Sequence, residues 1–344
     1  MTYKVTLEPV GIEMEVEEDE TVLEAAFRQG IALMHGCKEG QCSTCKSMLI
    51  DGDIEMERYS TFALNEFERE QGYILLCKTL AYSDLTVELL QFDAEALKVS
   101  VPIKTYSAVV EKIENLTHDI RKLTLQLKAP EEIKFHSGQF VDIYLPGEET
   151  YRSYSMSNTP SQATRLEFMI KIFEGGKFST LLDQRLKPGD ELTVKGPYGN
   201  CIRREESTGD MILLGGGSGM APLWSILNDM IEKRVNRNVT FFYGARTQND
   251  LFYLEQFEQF AKTVKGFTFI PALSEPLEKD SWDGETGLIT EVLARHIDSS
   301  PAQRDLEAFL CGPAPMIDAA IKVLKEKGVT SDRIFFDKFV PASN

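Results

Sequence analysis

His35-Gly36-Cys37-Lys38-Glu39-Gly40-Gln41-Cys42-Ser43-Thr44-Cys45 sets three cysteines at C-x4-C-x2-C spacing, and a fourth, Cys77, stands alone in Ile74-Leu75-Leu76-Cys77. Four thiolates so spaced are the ligand set of a [2Fe–2S] cluster, two for each tetrahedral iron. A loop can offer three of them from one side only if its backbone bends tightly. Gly36 and Gly40 permit such bends, and Ser43 and Thr44 are small, so backbone N–H groups can point at the sulfurs. A four-cysteine zinc site would show two C-x2-C pairs, and Cys77 has no such partner. Disulfides suit a small secreted domain, whereas Met1-Thr2-Tyr3-Lys4 runs straight into a strand pattern with nothing that marks export. The metal ligands are therefore assigned as Cys37, Cys42, Cys45 and Cys77.

At 344 residues the chain is too long for one compact core and suits two or three domains. Its composition is that of a globular protein, and no apolar stretch approaches a membrane span. The net charge of −17 is uneven: residues 1–96 carry 20 Asp or Glu against 7 Lys or Arg, which is −13 of the total. Such a field disfavours nucleic acid and anionic membrane as partners. Much of it is solvated surface, and it also suits a docking face that steers this end of the chain toward a positive patch. Four of the six cysteines lie in one motif, which fits a reducing compartment, and a cytoplasmic location is expected.

Outward from the loop, residues 3–9 and 12–17 alternate around Val10-Gly11 and predict a hairpin. Thr21-Val22-Leu23-Glu24 is a capping box that opens a helix over 22–29, ended by Gly30. Residues 46–50 and 85–90 read as strands, and 55–70 as an acidic, irregular surface segment. A β-grasp-like sheet with one helix is expected over 1–95, then a linker at 96–103. Over 104–205, β-rich segments at 108–113, 120–127, 139–145, 153–157, 166–172 and 191–195 predict an antiparallel six-stranded β-barrel with one short helix at 178–185. Over 206–344 strand and helix alternate. Strands at 211–214, 239–245, 267–273, 307–310 and 333–336, with helices at 223–233, 251–263, 289–296 and 314–327, predict a parallel doubly wound sheet.

The chemistry-bearing residues fall on these last two domains. Arg152-Ser153-Tyr154-Ser155 on a strand presents Arg152 and Tyr154 to one face. Arg152 can fork onto a flavin pyrophosphate, Tyr154 can lie against ring or ribose, and Ser155 can offer its hydroxyl and N–H to the flavin N5 edge. Gly175-Gly176-Lys177-Phe178-Ser179 opens the short helix, whose free N–H groups make a second phosphate seat. Alone, the first is an ordinary strand with a surface arginine and the second a turn; their order, one strand apart, joins them into one signal. Met211–Leu214 leads into Gly215-Gly216-Gly217-Ser218-Gly219-Met220-Ala221-Pro222 and a helix, the geometry that brings a pyrophosphate onto backbone N–H groups. It is not G-x-G-x-x-G, since Met220 stands where the last glycine would be. Cys311-Gly312-Pro313 ends a strand at the crevice where such sheets bind ligands, though a buried structural cysteine before a tight turn reads the same way. Cys201 reads as packing, and His35, His118, His136 and His296 form no metal-ligand spacing.

Residues 1–92 resemble a plant-type ferredoxin. Arg152–Ser155, Gly215–Pro222 and Cys311–Pro313 together resemble the ferredoxin–NADP reductase superfamily over roughly 104–340. In this order the chain is similar to the reductase components of soluble di-iron monooxygenases of the methane, propane and phenol types. Phe335-Phe336-Asp337-Lys338-Phe339 before Val340-Pro341 looks closest to the methane and propane group. Benzoate-type reductases, which feed Rieske dioxygenases, share the order and are the alternative. The resemblance implies FAD in the barrel, on Arg152, Ser153, Tyr154, Ser155, Gly176, Lys177, Phe178 and Ser179. It implies NADH in the last domain, on Gly215, Gly216, Gly217, Ser218, Gly219, Cys311, Gly312 and Pro313. Ser155, Cys311 and Phe339 would be catalytic, with Phe339 shielding the flavin, Asp337 as its polar neighbour, and Phe335 and Phe336 on a core strand. Electrons would pass from NADH through FAD and the [2Fe–2S] cluster to a hydroxylase docked on the acidic ferredoxin domain. Asp250 suits the ribose 2′-OH of NADH and Arg246 a 2′-phosphate; the resemblance favours NADH. A passive carrier and a redox sensor are the remaining readings, and intact phosphate loops speak against the carrier.

Overall fold

The structure, a computed structural model, describes residues 2–92, 97, 101–277, 282–297 and 305–339. The chain divides into two compact units, Met1–Lys104 and Thr105–Asn344.

In the first unit, β1 (Thr2–Glu8) and β2 (Ile12–Glu17) form the expected hairpin, with Gly11 left-handed at φ 65° in the turn. Alternation sends Val5, Leu7, Met14 and Val16 into the core. The helix Val22–Arg28 starts at a true capping box: Glu24 N–H donates to Thr21 Oγ1, and Thr21 N–H to the Glu24 carboxylate. Its buried face carries Val22, Leu23, Ala25, Ala26 and Phe27. The remaining strands are β3 (Lys46–Asp51), β4 (Ile54–Met56), β5 (Tyr73–Leu75), β6 (Thr79–Ala81) and β7 (Leu85–Leu89). The sheet runs β2-β1-β7-β3-β5, with β1 and β7 parallel, and β4 pairs β6 separately. This is the β-grasp arrangement. Segment 55–70 has more structure than its acidity suggested. It includes the end of β4, the buried Ala63 and Leu64, and a helix Glu66–Glu70 capped by Asn65. That helix buries no residue, so it leaves no apolar period to read. Of the linker expected at 96–103, residues 96 and 98–100 lie outside the described residues; Ile103 N–H donates to Phe27 O within the first unit.

The second unit begins with β8 (Lys104–Asn115), β9 (Ile120–Ala129), β10 (Phe140–Tyr144), β11 (Tyr151–Ser155), β12 (Arg165–Lys171) and β13 (Glu191–Tyr198), in the order β11-β10-β13-β8-β9-β12. Just past β11, a Met156–Phe168 bridge and the Ser157 N–H on Glu167 O (2.7 Å) join the two ends and close the barrel. Its core is built from alternating positions such as Leu123, Leu125, Val141, Ile143, Phe168 and Val194. The helix Lys177–Gln184 adds Phe178 and Leu182 to it.

The sheet that follows comprises β14 (Met211–Gly216), β15 (Val239–Ala245), β16 (Phe267–Leu273), β17 (Glu285–Thr286), β18 (Glu307–Pro313) and β19 (Ile334–Phe339). All its pairings are parallel, in the order β17-β16-β15-β14-β18-β19. It has one strand more than the sequence led us to expect; β17 is two residues long and leaves no pattern. Helices Met220–Glu232, Leu254–Thr263, Ile289–His296 and Ala314–Glu326 cover its faces, so inner strands are continuous apolar runs such as Phe241-Phe242-Tyr243. The chain moves outward from β14 to β16, then returns to β18 on the other side of β14, which puts the switch-point crevice between β14 and β18. Barrel and sheet are joined by Ser225 Oγ donating to Asn158 O (2.6 Å) and by Thr159 and Ser161 hydroxyls on Glu232 (both 2.9 Å). No helix among the described residues is long and apolar enough to cross a membrane.

Candidate functional site

The cysteine loop turns through three left-handed residues, Lys38 (φ 58°), Gly40 (φ 70°) and Ser43 (φ 56°). Its sulfurs fall into two pairs. Cys45 and Cys77 Sγ lie 3.3 Å apart, and Cys37 and Cys42 hydrogen-bond each other through their thiols. None of the cysteines is in a disulfide. Backbone N–H groups converge on the outer pair: Gln41 N–H on Cys37 Sγ (3.1 Å), Glu39 N–H on Cys37 Sγ (3.4 Å) and Cys37 N–H on Cys42 Sγ (3.2 Å). The two glycines are required for space. A Cβ on Gly36 would stand 2.9 Å from Cys42 Sγ, and one on Gly40 2.8 Å from Tyr59 Cβ. The shared hydrogen bond draws Cys42 down to about 4 and pushes Cys37 up; in the inner pair Cys45 is lowered and Cys77 raised in the same way. Two sulfur pairs inside a shell of N–H donors fit a [2Fe–2S] cluster, one pair for each iron.

In the barrel, Arg152, Ser153, Tyr154 and Ser155 pair with Ile143, Asp142, Val141 and Phe140. Arg152 donates to Tyr151 O (2.8 Å), Ser153 Oγ to Asp142 Oδ1 (2.6 Å), and Ser155 is buried. The Tyr154 ring packs on Phe178 (centroids 5.0 Å apart), and burial pushes its phenol well up. The helix Lys177–Gln184 follows Gly175 (φ 74°) and Gly176, and no side chain caps it, so its first N–H groups remain open to an anion. An arginine on β11 and an uncapped helix start, the two segments packed together through Tyr154 and Phe178, are a donor set that fits a flavin pyrophosphate.

At the crevice three chain segments lie in register. Gly215 pairs with Cys311, Cys311 with Asp337, and Pro313 with Phe339. Gly217 (φ 56°) faces open space, and Gly217–Gly219 form a short turn into the helix Met220–Glu232, again with no side-chain cap. Gly219 abuts the Cys311 backbone: a Cβ there would stand 2.7 Å from Cys311 C and 2.9 Å from Gly312 Cα. A glycine turn with open N–H groups and clear space before it fits a dinucleotide pyrophosphate.

Family comparison covers the chain in the same three parts. Residues 5–82 match the 2Fe-2S iron-sulfur cluster binding domain, 107–202 the oxidoreductase FAD-binding domain and 213–322 the oxidoreductase NAD-binding domain. The propane 2-monooxygenase reductase component of Mycolicibacterium smegmatis is 45% identical, over 98% of this chain and 97% of its own length. The phenol 2-monooxygenase reductase component of a Pseudomonas species is 35% identical over 100% of this chain and 96% of its own. The chain is a member of the monooxygenase reductase-component family. Among solved structures, a cytochrome P450 reductase of Amycolatopsis superposes on the reductase with TM-score 0.88 at 30% identity, covering 99% of this chain and 100% of its own. The ferredoxin reductase of carbazole 1,9a-dioxygenase follows at TM-score 0.77 and 27% identity, with 99% of each chain covered. The reductase is thus an NADH-dependent oxidoreductase that uses FAD and a [2Fe–2S] cluster and serves a hydroxylase partner.

Several side chains of the reductase lie otherwise than their sequence context suggested. The ring of Phe178 is in the barrel core, so only its backbone can face a cofactor; the helix period points it inward. Ser179 is buried as well, its Oγ reaching Lys171 O at 3.5 Å, while Lys177 stays exposed. The Cys311 thiol is fully buried, 3.9 Å from Cys201 Sγ, and burial pushes it well up. It is packed rather than open, because β18 is an inner strand covered on both faces. Phe335 stacks on Phe309 as expected of a core strand. Phe336 does not: it is 44% exposed, with Lys338 above its ring, because alternation turns it away from Phe335. Asp337 Oδ2 is buried with no hydrogen-bond partner, and burial pushes its carboxyl up to about 7. Phe339 shares its strand face two residues on.

The strand-end residues border a cavity of about 640 Å³ lined by His118, Arg246, Thr247, Asn249, Asp250, Glu275 and Leu277. Asp250 Oδ2 accepts from the Thr247 N–H (2.8 Å) and hydroxyl (2.9 Å) and so caps the local turn, while its Oδ1 lies 3.9 Å from the Arg246 guanidinium and 3.7 Å from His118 Nδ1. Glu275 is the carboxylate that sequence reading missed. It lies just past β16, and Glu275 N–H donates to Arg246 O (2.8 Å). Its signal was the position: an acid immediately past a parallel strand, at the carboxyl edge where open α/β sheets bind ligands.

Proposed function

We propose that the reductase delivers electrons to the hydroxylase of a propane-type di-iron monooxygenase through a cluster on Cys37, Cys42, Cys45 and Cys77, with the acidic N-terminal unit as the docking face. The pairing of the four sulfurs under converging N–H groups carries this reading. The 45–46% identity to propane 2-monooxygenase reductases supports the partner class over a Rieske dioxygenase. The proposed division is 1–95 for the cluster, 96–103 as linker, 104–205 for FAD and 206–344 for NADH. We place the protein in the cytoplasm, a reading supported by cysteines free of disulfides.

A bound flavin would supply the conversion between the nicotinamide's electron pair and the single electrons that a cluster carries. The chain's task is placement. Arg152 and the N–H groups of Lys177 and Ser179, at the helix start opened by Gly176, hold the flavin pyrophosphate, Tyr154 supports the ribose or ring edge, and Ser155 points its hydroxyl at the reacting edge. Gly215, Gly216, Gly217, Ser218 and Gly219 seat the dinucleotide, and the Gly219–Cys311 backbone contact sets its depth against Gly312 and Pro313. Asp337 holds its proton up to about pH 7 in a dry position beside this seat, and Phe339 shields the flavin when no nicotinamide is present. Glu275 favours NADH by repelling a 2′-phosphate.

Anaerobic stopped-flow absorbance with NADH and with NADPH tests the route. Flavin bleaching followed by loss of the cluster bands, faster with NADH, is expected. Bleaching without cluster reduction would remove the N-terminal unit as the exit. Raising salt should slow delivery to a hydroxylase and leave dye reduction unchanged, since exposed charges are screened beyond about 10 Å at 0.1 M. Equal slowing of both would refute the acidic docking face.

A further inference from the structure

Phe62 is 98% exposed, the most exposed of the large apolar side chains among the described residues of this protein. A lone exposed apolar side chain is ordinary, but Phe62 is solvated almost completely. It is also not on a loose end. Ser60 N–H donates to Gly40 O (3.0 Å), which ties the segment to the cysteine loop. Phe62 N–H then donates to Ser60 Oγ (3.3 Å), and the Ala63 and Leu64 N–H groups to Ser60 O (2.9 and 3.2 Å). Ala63 and Leu64 are both 1% exposed, so their side chains anchor this turn in the core while Phe62 is pushed outward.

The surroundings are specific. Five residues on, Phe67 is 67% exposed on the helix Glu66–Glu70. That helix is bound to the cluster side of the unit by Glu68, which pairs with Lys46 (2.6 Å), the residue after Cys45. Glu39, Glu57, Glu66 and Glu70 are exposed on and beside the segment, against the exposed cations Arg58 and Arg69, so the acidic groups outnumber the basic ones. An apolar centre in an acidic rim is the complement of an apolar pocket ringed by Lys and Arg.

We propose that Phe62 is the anchor by which the reductase docks on its hydroxylase, entering an apolar pocket rimmed by basic residues close to the electron exit. This rests on the reading above that the N-terminal unit docks. The acidic rim governs approach, and Phe62 governs how long the complex lasts. Such anchors dominate interface energy, whereas rim charges act mainly on association.

The test uses the full-length holoprotein and, as probe, the purified hydroxylase of Mycolicibacterium smegmatis propane 2-monooxygenase, whose reductase is 45% identical. Phe62→Ala, Phe62→Leu and wild type are compared in NADH-driven hydroxylase reduction and in ferricyanide reduction. Ferricyanide rates and cluster absorbance should be equal in all three, because Phe62 supports no other side chain. Phe62→Ala should raise the half-saturating hydroxylase concentration about tenfold, with Phe62→Leu in between. The ratio should persist at 0.5 M NaCl, where the rim is screened. Wild type that fails to reduce the hydroxylase at all would sink the docking reading itself. Wild type that reduces it while Phe62→Ala saturates equally well would overturn the anchor alone.

Discussion

Replacing Gly219 by Ala probes the depth of the nicotinamide seat. Gly219 has φ −62°, ordinary for any residue, so backbone conformation is no obstacle. Space is the obstacle. The added Cβ would lie 2.7 Å from Cys311 C and 2.9 Å from Gly312 Cα, both backbone atoms. Carbon atoms pack at about 3.5 Å or more, so the turn and the Cys311 segment must part by roughly 1 Å. Cys311 is held between β14 and β19, which makes the Gly217–Gly219 turn the part that yields. A shift of about 1 Å in a positioning group costs on the order of 100-fold in rate. Overpacking costs about 1–3 kcal/mol, within what a domain of this size survives. In anaerobic stopped flow, NADH-driven flavin bleaching of Gly219→Ala should therefore slow by about two orders of magnitude. Dithionite reduction of flavin and cluster should not change. Bleaching within about threefold of wild type would show that contact with Cys311 does not set the seat.

Further outcomes follow from single side chains. Cys77→Ala should abolish the cluster's visible bands and delivery to hydroxylase while ferricyanide reduction stays within about twofold, since the flavin route is separate; retained bands would displace Cys77 as ligand. Burial raises the Asp337 carboxyl to about 7, so the stability it contributes is complete below the unfolded value near 4 and is lost as pH rises through about 7. Thermal melts of flavin-free protein between pH 4 and 8 should show that decline in wild type and not in Asp337→Asn; parallel profiles would refute the buried acid. Glu275→Arg should shift the NADH to NADPH preference by about 10- to 100-fold, the value of one charged hydrogen bond gained in place of repulsion; an unchanged ratio would move discrimination elsewhere. Thr21→Ala removes the hydroxyl that accepts the Glu24 N–H and leaves the Thr21 backbone half of the capping box in place; it should cost about 1 kcal/mol in denaturant melts, with Thr21→Ser recovering most of it.

What the sequence determined by itself is what neighbours along the chain decide. The cysteine loop, the capping box at Thr21, the glycine turns at 175–176 and 215–219, and the change from a barrel's alternation to strand–helix alternation are all set within a few residues. Local sterics and hydrogen bonding suffice for them. Tertiary structure decided the rest. Cys45 meets Cys77 across 32 positions only because β3 and β5 pair. Phe178 turns into the barrel and Cys311 is sealed against Cys201 because of what packs over them. Phe336 faces outward because alternation along β19 puts it on the face opposite Phe335, which stacks on Phe309 of the neighbouring strand. Asp337 loses its solvent, and Glu275 comes to the cavity beside Arg246, through elements remote in sequence. Burial and partnership are properties of the assembled sheet, and a residue's own neighbours along the chain carry no record of them.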